Sequence, residues 1–307
     1  MTGRIIRGVG GFYYVHGEDG GIYACRAKGI FRKTGEKPLV GDRVEISVVH
    51  EKDMEGNVDG ILPRTNALVR PAVANVDQVF LMFACASPAP NFGLLDRFLL
   101  MAGAAGLPTV IVFNKADLVG EREMAEVMEI YGKCGCPVYF ISTKAPDRQG
   151  GLDAAGTGSR SGQMAALRSL LPGKTTVLAG PSGVGKSSFT NLVAPDAGME
   201  IGKLSAKIDR GKHTTRHTEL FALPGGGFLM DTPGFATLNL AGADATWLKG
   251  QFPEFAQYEA GCKFAGCAHI GEGECGVKAA VESGGINPRR YESYAAFYKE
   301  IKDMRRY

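Results

Sequence analysis

Several short segments of this 307-residue chain carry residue types spaced to act on phosphates, a purine base and a metal ion. Gly180-Pro181-Ser182-Gly183-Val184-Gly185-Lys186-Ser187, with Ser188 following, fits the phosphate-loop pattern G-x-x-x-x-G-K-[ST]. In such a loop backbone N–H groups turn inward around a phosphate, and the positive end of the next helix adds to their potential. Glycine at 180, 183 and 185 lets the backbone approach without Cβ clashes. Lys186 would reach the β- and γ-phosphates, and the Ser187 hydroxyl would ligate Mg²⁺. Asp231-Thr232-Pro233-Gly234 begins 44 residues after Ser187, behind the apolar stretch Phe228–Met230. A carboxylate at a strand end can hold Mg²⁺, and the Gly234 N–H can turn to a γ-phosphate. Thr214 and Thr215 lie between the two motifs, the order expected of a nucleotide switch.

Asn114-Lys115-Ala116-Asp117 directly follows the apolar stretch Val110–Phe113. A carboxylate there can accept both the N1–H and the exocyclic amino hydrogen of guanine. Adenine offers neither in that arrangement, so the motif selects GTP over ATP, with Asn114 and Lys115 bracing the base and the phosphate loop. Ser142-Thr143-Lys144, after Val138–Ile141, has the form of a second base-contacting loop.

Cys262, Cys267, His269 and Cys275 gather three thiols and an imidazole within 14 residues. Three thiolates and one imidazole make a closed tetrahedral Zn²⁺ shell with no position left for water, so the role would be structural. Gly261, Gly266, Gly271, Gly273 and Gly276 supply the turns needed to wrap these ligands around one ion; the bland alternative is a set of reduced thiols. Cys134-Gly135-Cys136 is C-x-C, and it reads with Cys25 and Cys85 as structural.

Composition sets the frame for these motifs. The chain is 45% hydrophobic and 22% charged, which excludes a disordered chain. Its 43 glycines, roughly double the average usage of ~7%, imply many tight turns and close ligand approaches. The longest apolar run, Val79 to Ala86, is eight residues and too short to span a bilayer. Arg4 and Arg7 interrupt the start as a signal peptide would not allow, and seven unevenly spread cysteines argue against a disulfide framework. The expectation is a cytoplasmic protein with no membrane partner. A net charge of +3 does not by itself imply nucleic acid, but basic residues concentrate over Lys203–Arg216 and over Asn287–Tyr307.

Three textures along the chain must position the motifs. Arg4–Val9, Gly11–His16, Gly21–Cys25, Arg43–Val49 and Gly56–Leu62 read as short strands of a barrel, OB-type or SH3-like, with Gly41-Asp42-Arg43 turning into the fourth. From Val76 strands and helices alternate: strands Val76–Cys85, Pro108–Phe113, Val138–Ile141 and Thr176–Ala179, helices Leu94–Ala105, Glu121–Tyr131 and Met164–Leu171. That alternation predicts an α/β domain with a largely parallel sheet, and Ala145–Gln163 reads as a flexible connection within it. After about Leu240 the chain reads as helical, with Tyr291, Tyr294, Phe297 or Tyr298, Ile301 and Met304 on one face of a helix over 287–307.

The order of the motifs is informative. GTPases ordinarily run phosphate loop, switch, D-x-x-G, N-K-x-D, S-x-K; here the same cyclic order is cut so that Asn114–Asp117 and Ser142–Lys144 come first. With a barrel ahead and the Cys/His segment behind, the chain resembles the circularly permuted GTPases that assist assembly of the small ribosomal subunit. The resemblance covers nearly the whole chain. It implies an OB-type RNA-binding barrel over 1–65, a circularly permuted P-loop GTPase domain over 66–240 and a mostly helical zinc module over 241–307. It also implies GTP hydrolysis to GDP stimulated by the small (30S) subunit, late-stage maturation of that subunit, contact with its 16S rRNA, and action as a monomer. Phe235 stands where many small GTPases carry a glutamine that orients the attacking water. His213 matches the family's histidine in a G-R-H-T-T-T stretch and is the candidate to position that water, or else a surface contact to RNA; Thr215, or else Thr214, would give a hydroxyl to Mg²⁺. Lys212 and Arg216 stand where the family often shows Arg and Thr.

Two other readings remain open: a nucleotide-gated RNA-binding protein with negligible turnover, and a P-loop ATPase or nucleotide kinase, which Asn114–Asp117 disfavours. Because the GTPase domain ends just after Asp231–Gly234, the C-terminal module could move with the switch, or it could pack rigidly on the sheet.

Overall fold

The computed structural model describes residues 1–29, 31, 35–68, 71–145, 160–198, 218–231 and 244–304. It divides into two compact units, residues 1–80 with 165–236 and residues 81–164 with 237–307. Among the described residues no helix is long and apolar enough to cross a membrane.

The first unit begins with a closed barrel of β1 (Thr2–Val9), β2 (Phe12–Gly17), β3 (Ile22–Ala27), β4 (Arg43–His50) and β5 (Glu55–Ile61). Alternation drives Ile5, Val15, Cys25, Val44, Ile46 and Val58 into its interior. β1 pairs antiparallel with both β2 and β4, and β3 runs parallel to β5. The order β1-β2-β3-β5-β4 is the Greek-key closure of an OB barrel, which decides against the SH3-like alternative. The turn at Gly41 depends on glycine: φ is +89°, and a Cβ there would lie 2.1 Å from the Ala74 carbonyl oxygen. Asp42 beside it is buried and accepts from the Leu39 N–H at 2.7 Å and from Arg64 Nε at 2.6 Å.

Two-residue strands β6 (Ala67–Leu68) and β7 (Val73–Ala74) pair antiparallel. In the first unit β11 (Thr175–Ala179) is parallel to β13 (Phe228–Asp231), and β12 (Leu220–Ala222), a strand the sequence pattern misses, lies antiparallel on β13. The barrel is fastened here. Arg4 donates to the Thr175 hydroxyl and covers the Phe228 ring at 5.2 Å, and Arg7 Nη1 lies 3.3 Å from Glu219 Oε1.

The second unit holds most of β8 (Gln78–Ala84), buried throughout as a strand covered on both faces must be. It continues with α1 (Phe92–Ala104), β9 (Thr109–Asn114), α2 (Glu121–Tyr131) and β10 (Val138–Phe140), the last parallel to β9. α3 (Arg160–Ser169) starts earlier than the periodicity predicts. Gln163, expected in a flexible connection, is instead buried in this helix, its Oε1 accepting from the Phe140 N–H at 2.6 Å.

After α4 (Lys186–Val193) of the first unit come the C-terminal elements α5 (Ala245–Gly250), a 3₁₀ segment (Pro253–Gly261), α6 (Gly276–Glu282) and α7 (Pro288–Met304). Leu248, Phe252, Phe255, Val277, Tyr294, Phe297 and Ile301 form their core, and Leu100 of α1 belongs to it. The C-terminal segment therefore shares a core with α1. Two expectations for the last helix fail. Met304 is 42% exposed, so the apolar face ends at Ile301. Arg290, whose charge marks it as surface although it lies one turn before Tyr294 on the same face, is 2% exposed because Asp96 of α1 and Glu254 of the 3₁₀ segment neutralise it there.

Candidate functional site

The phosphate loop grows from β11, every residue of which is buried, and opens α4 at Lys186. Gly183 (φ +80°) and Gly185 (φ +98°) adopt the left-handed backbone that L side chains avoid, so the sequence spacing of glycine meets a conformational need here. Lys186 curls over the loop, its Nζ donating to the Gly180 and Pro181 carbonyl oxygens at 2.9 and 2.8 Å. Val184 is buried and Phe189 packs on Phe80 with ring centroids 6.4 Å apart, which anchors the helix under Ser187 and Ser188. Asp231 ends β13 in register with Leu178, two residues before Gly180, so its backbone lies beside the strand that feeds the loop. Gly234, His213, Thr214, Thr215 and Arg216 lie outside the described residues.

The base motif is built at the end of β9. Asn114 is fully buried; its Oδ1 accepts from the Thr143 N–H at 3.0 Å and its Nδ2 donates to Thr143 Oγ1 at 3.2 Å. Lys115 takes a left-handed backbone (φ +60°) and its ammonium donates to the Ser87 carbonyl oxygen. The Ala116 N–H donates to the Ile141 carbonyl at 3.0 Å, and the Ser142 hydroxyl donates to Asp117 Oδ1 at 2.5 Å. Asn114–Asp117 and Ser142–Lys144 are thus stitched into one loop pair. Sequence reasoning named both segments, but the bonds from Thr143 to Asn114 and from Ser142 to Asp117 carried no local signal. Through these two bonds Asn114 holds the second loop.

The Cys/His segment closes on itself. The ligand atoms of Cys262, Cys267, His269 and Cys275 all lie within 4.8 Å of one another. Cys262 Sγ is 3.9 Å from Cys275 Sγ, and His269 Nδ1 is 3.4 Å from Cys275 Sγ and 3.6 Å from Cys262 Sγ. Tetrahedral zinc, at ~2.3 Å from sulfur and ~2.0 Å from nitrogen, implies separations of about 3.8 and 3.5 Å, so these residues fit the ion. Burial and the neighbouring thiols Cys275 and Cys262 push the Cys267 thiol up to about 12. His269 sits at φ +59°, a strained turn that aims the ring inward. The Tyr291 and Tyr294 hydroxyls donate to the His269 and Ala268 carbonyl oxygens at 2.7 and 2.8 Å and fix this turn on α7. On the ring's other side Nε2 lies 3.4 Å from Glu259 Oε1, a partner the cysteine spacing did not announce. Of the cysteines read as structural, Cys25 and Cys134 are buried, and burial pushes Cys25 up to about 11.

A family model described as RsgA GTPase matches residues 61–241, and one described as RsgA N-terminal domain matches residues 2–58. The chain is 45% identical to the small ribosomal subunit biogenesis GTPase RsgA of Agathobacter rectalis, with 100% of each chain covered. It is 43% identical to the protein of the same name from Alkaliphilus metalliredigens, over 99% of each. Among solved structures, YloQ, described as a circularly permuted GTPase, is 36% identical with a TM-score of 0.73, covering 98% of this chain and 95% of that one. YjeQ from Thermotoga maritima is 34% identical with a TM-score of 0.76, covering 98% of each. The phosphate loop, the base motif and Asp231 all fall inside the matched GTPase region, and the chain belongs to the RsgA GTPase family.

Proposed function

We propose that this protein hydrolyses GTP to GDP and phosphate and acts as a late-stage maturation factor of the small ribosomal subunit, contacting its 16S rRNA as a cytoplasmic monomer. The observation that carries the reading is the stitched base loop: the Ser142 hydroxyl holds Asp117 at 2.5 Å in the motif that selects guanine, in a chain of the RsgA GTPase family. The proposed division is an RNA-binding barrel over 1–65, a GTPase domain over 66–240 and a zinc module over 241–307.

In this reading Asp117 accepts two hydrogens from guanine while Asn114, Lys115 and Ala116 shape its loop and Ser142, Thr143 and Lys144 close it. The backbone of Gly180 to Ser188 cradles the phosphates, and Lys186 exchanges its loop carbonyls for β- and γ-phosphate oxygens. Ser187, Thr215 and Asp231 would hold Mg²⁺, which supplies neutralisation of the charge on those oxygens. The Gly234 N–H meets the γ-phosphate. Phe235 cannot orient water, so His213, as a neutral imidazole, positions the nucleophile. Cys262, Cys267, His269 and Cys275 would hold one structural Zn²⁺.

Phosphate release measured with GTP and with ATP, each with and without small subunits, tests the proposal. Hydrolysis specific to GTP and stimulated by subunits is expected. Nucleotide-dependent subunit binding without turnover would favour the RNA-binding reading that Phe235 motivates, and equal use of ATP would overturn the base-site assignment.

A further inference from the structure

We propose that Glu259 and Lys249 form the outer shell of the metal centre, with Glu259 fixing His269 in the tautomer that ligates through Nδ1 and Lys249 holding Glu259 in place. The inference rests on the reading that the Cys/His cluster holds zinc. A neutral imidazole has one nitrogen lone pair and one N–H. Nδ1 faces Cys275 Sγ at 3.4 Å and Cys262 Sγ at 3.6 Å, so it is the nitrogen that meets the ion, and the proton must sit on Nε2. His269 is 0% exposed, and a buried N–H needs an acceptor. Glu259 Oε1, 3.4 Å from Nε2, supplies it. The ring also packs edge-on to Phe255 at 88° with centroids 6.2 Å apart.

Charge explains Lys249. A divalent ion with three thiolates and a neutral imidazole carries one net negative charge. A carboxylate beside it would be repelled, and its own position would be unfavourable without a cation. Lys249 Nζ lies 3.3 Å from Glu259 Oε1 and donates to the Cys267 carbonyl oxygen at 3.4 Å. It therefore neutralises the carboxylate and pins the backbone of a ligand with one group. Lys249 comes from α5 and Glu259 from the 3₁₀ segment, so the shell fastens residues 245–261 to a centre whose four ligands lie later in the chain. Outer-shell partners of this kind raise ligand basicity and fix ring orientation.

The test uses the full-length protein and its Glu259→Ala, Glu259→Gln and Lys249→Met variants, each loaded with zinc and challenged with a chromogenic chelator. Glu259→Ala should weaken zinc affinity about 10- to 100-fold. Glu259→Gln keeps an oxygen acceptor for Nε2–H and should recover part of the loss, and Lys249→Met should fall between Gln and Ala. Cobalt substitution should show the same tetrahedral thiolate spectrum in all four proteins, because the inner ligands are untouched. In ¹⁵N-histidine spectra His269 should be metal-bound at Nδ1 and protonated at Nε2. Wild-type zinc affinity and release rate in Glu259→Ala, or metal on Nε2, would overturn the inference. Wild-type protein that takes up no stoichiometric zinc would instead overturn the metal reading beneath it.

Discussion

Arg290 and Asp96, 194 residues apart, form a buried ion pair that seats the C-terminal helix α7 on α1. Glu254 accepts from Arg290 Nε at 2.7 Å, and the guanidinium lies 4.5 Å over the Phe252 ring and 5.5 Å over that of Tyr131. Burial alone would lower its pKa, but Asp96 and Glu254 outweigh that and hold the guanidinium charged. Arg97 adds a two-pronged bond to Glu300 at 3.0 and 2.6 Å. A module joined this way cannot swing on its tether without carrying α1 along, which favours rigid packing over a freely reorienting C-terminal segment.

Removing Asp96 should be costly. Asp96→Ala leaves a buried guanidinium with one carboxylate, and losing one partner of a buried pair costs about 3–5 kcal/mol. Arg97→Ala, at a half-exposed pair, should cost less than about 1 kcal/mol. Urea denaturation of both variants measures the difference, and equal small losses would mean that the buried network does not hold α7 in place.

Asp117→Asn should lower GTP affinity at least tenfold, about 1.4 kcal/mol, and shift preference toward xanthine nucleotides. Ser142→Ala removes the 2.5 Å hydrogen bond that orients the carboxylate and should weaken GTP less than Asp117→Asn does. Fluorescence titration with GTP and XTP reads both; unchanged GTP binding in Asp117→Asn would sink the base site.

Lys186→Ala should abolish hydrolysis and weaken nucleotide binding, because the ammonium that spans the loop carbonyls is the group expected to meet the phosphates. Retained turnover in a phosphate-release assay would mean that the phosphates lie elsewhere.

His213→Ala should cut subunit-stimulated turnover while leaving GDP affinity nearly intact, if the imidazole acts on water and not on nucleotide as proposed. Parallel turnover and GDP-binding measurements separate the cases. Joint loss points to a phosphate contact or misfolding, and unchanged turnover to a catalytic group supplied by the partner.

Cys267→Ser should lower zinc content and loosen α7, because the tyrosines that bond to the Ala268 and His269 carbonyls lie on that helix. Structural zinc contributes more than ~10 kcal/mol to folding small modules. Since Leu100 of α1 shares this core, disorder should extend into α1, whereas a GTPase domain with a separate core would be spared. Mass spectrometry for zinc and hydrogen exchange over 92–104 give the readout; full protection of α1 in the zinc-free variant would show the two to be independent.

The motifs legible in the sequence are those whose geometry is local. A phosphate loop needs left-handed glycines, a helix start and a lysine within eight residues, and all are adjacent in the chain. A metal shell drawn from 14 consecutive residues is equally local. Strand alternation likewise foretold the barrel strands, since a period of two is a property of neighbours. What the chain could not show alone were partners distant in sequence. Which barrel closes depended on β3 meeting β5 and β1 meeting β4. The three-residue β12 is too short to carry a period and exists because β13 offers it an edge. Arg290 reads as surface by its charge, and became interior only when Asp96 and Glu254 arrived from elsewhere to neutralise it. Glu259 stands in the same position: an unremarkable carboxylate until the fold brings it to the far nitrogen of His269. A charge is buried only beside its counter-charge, and that pairing is decided by tertiary structure.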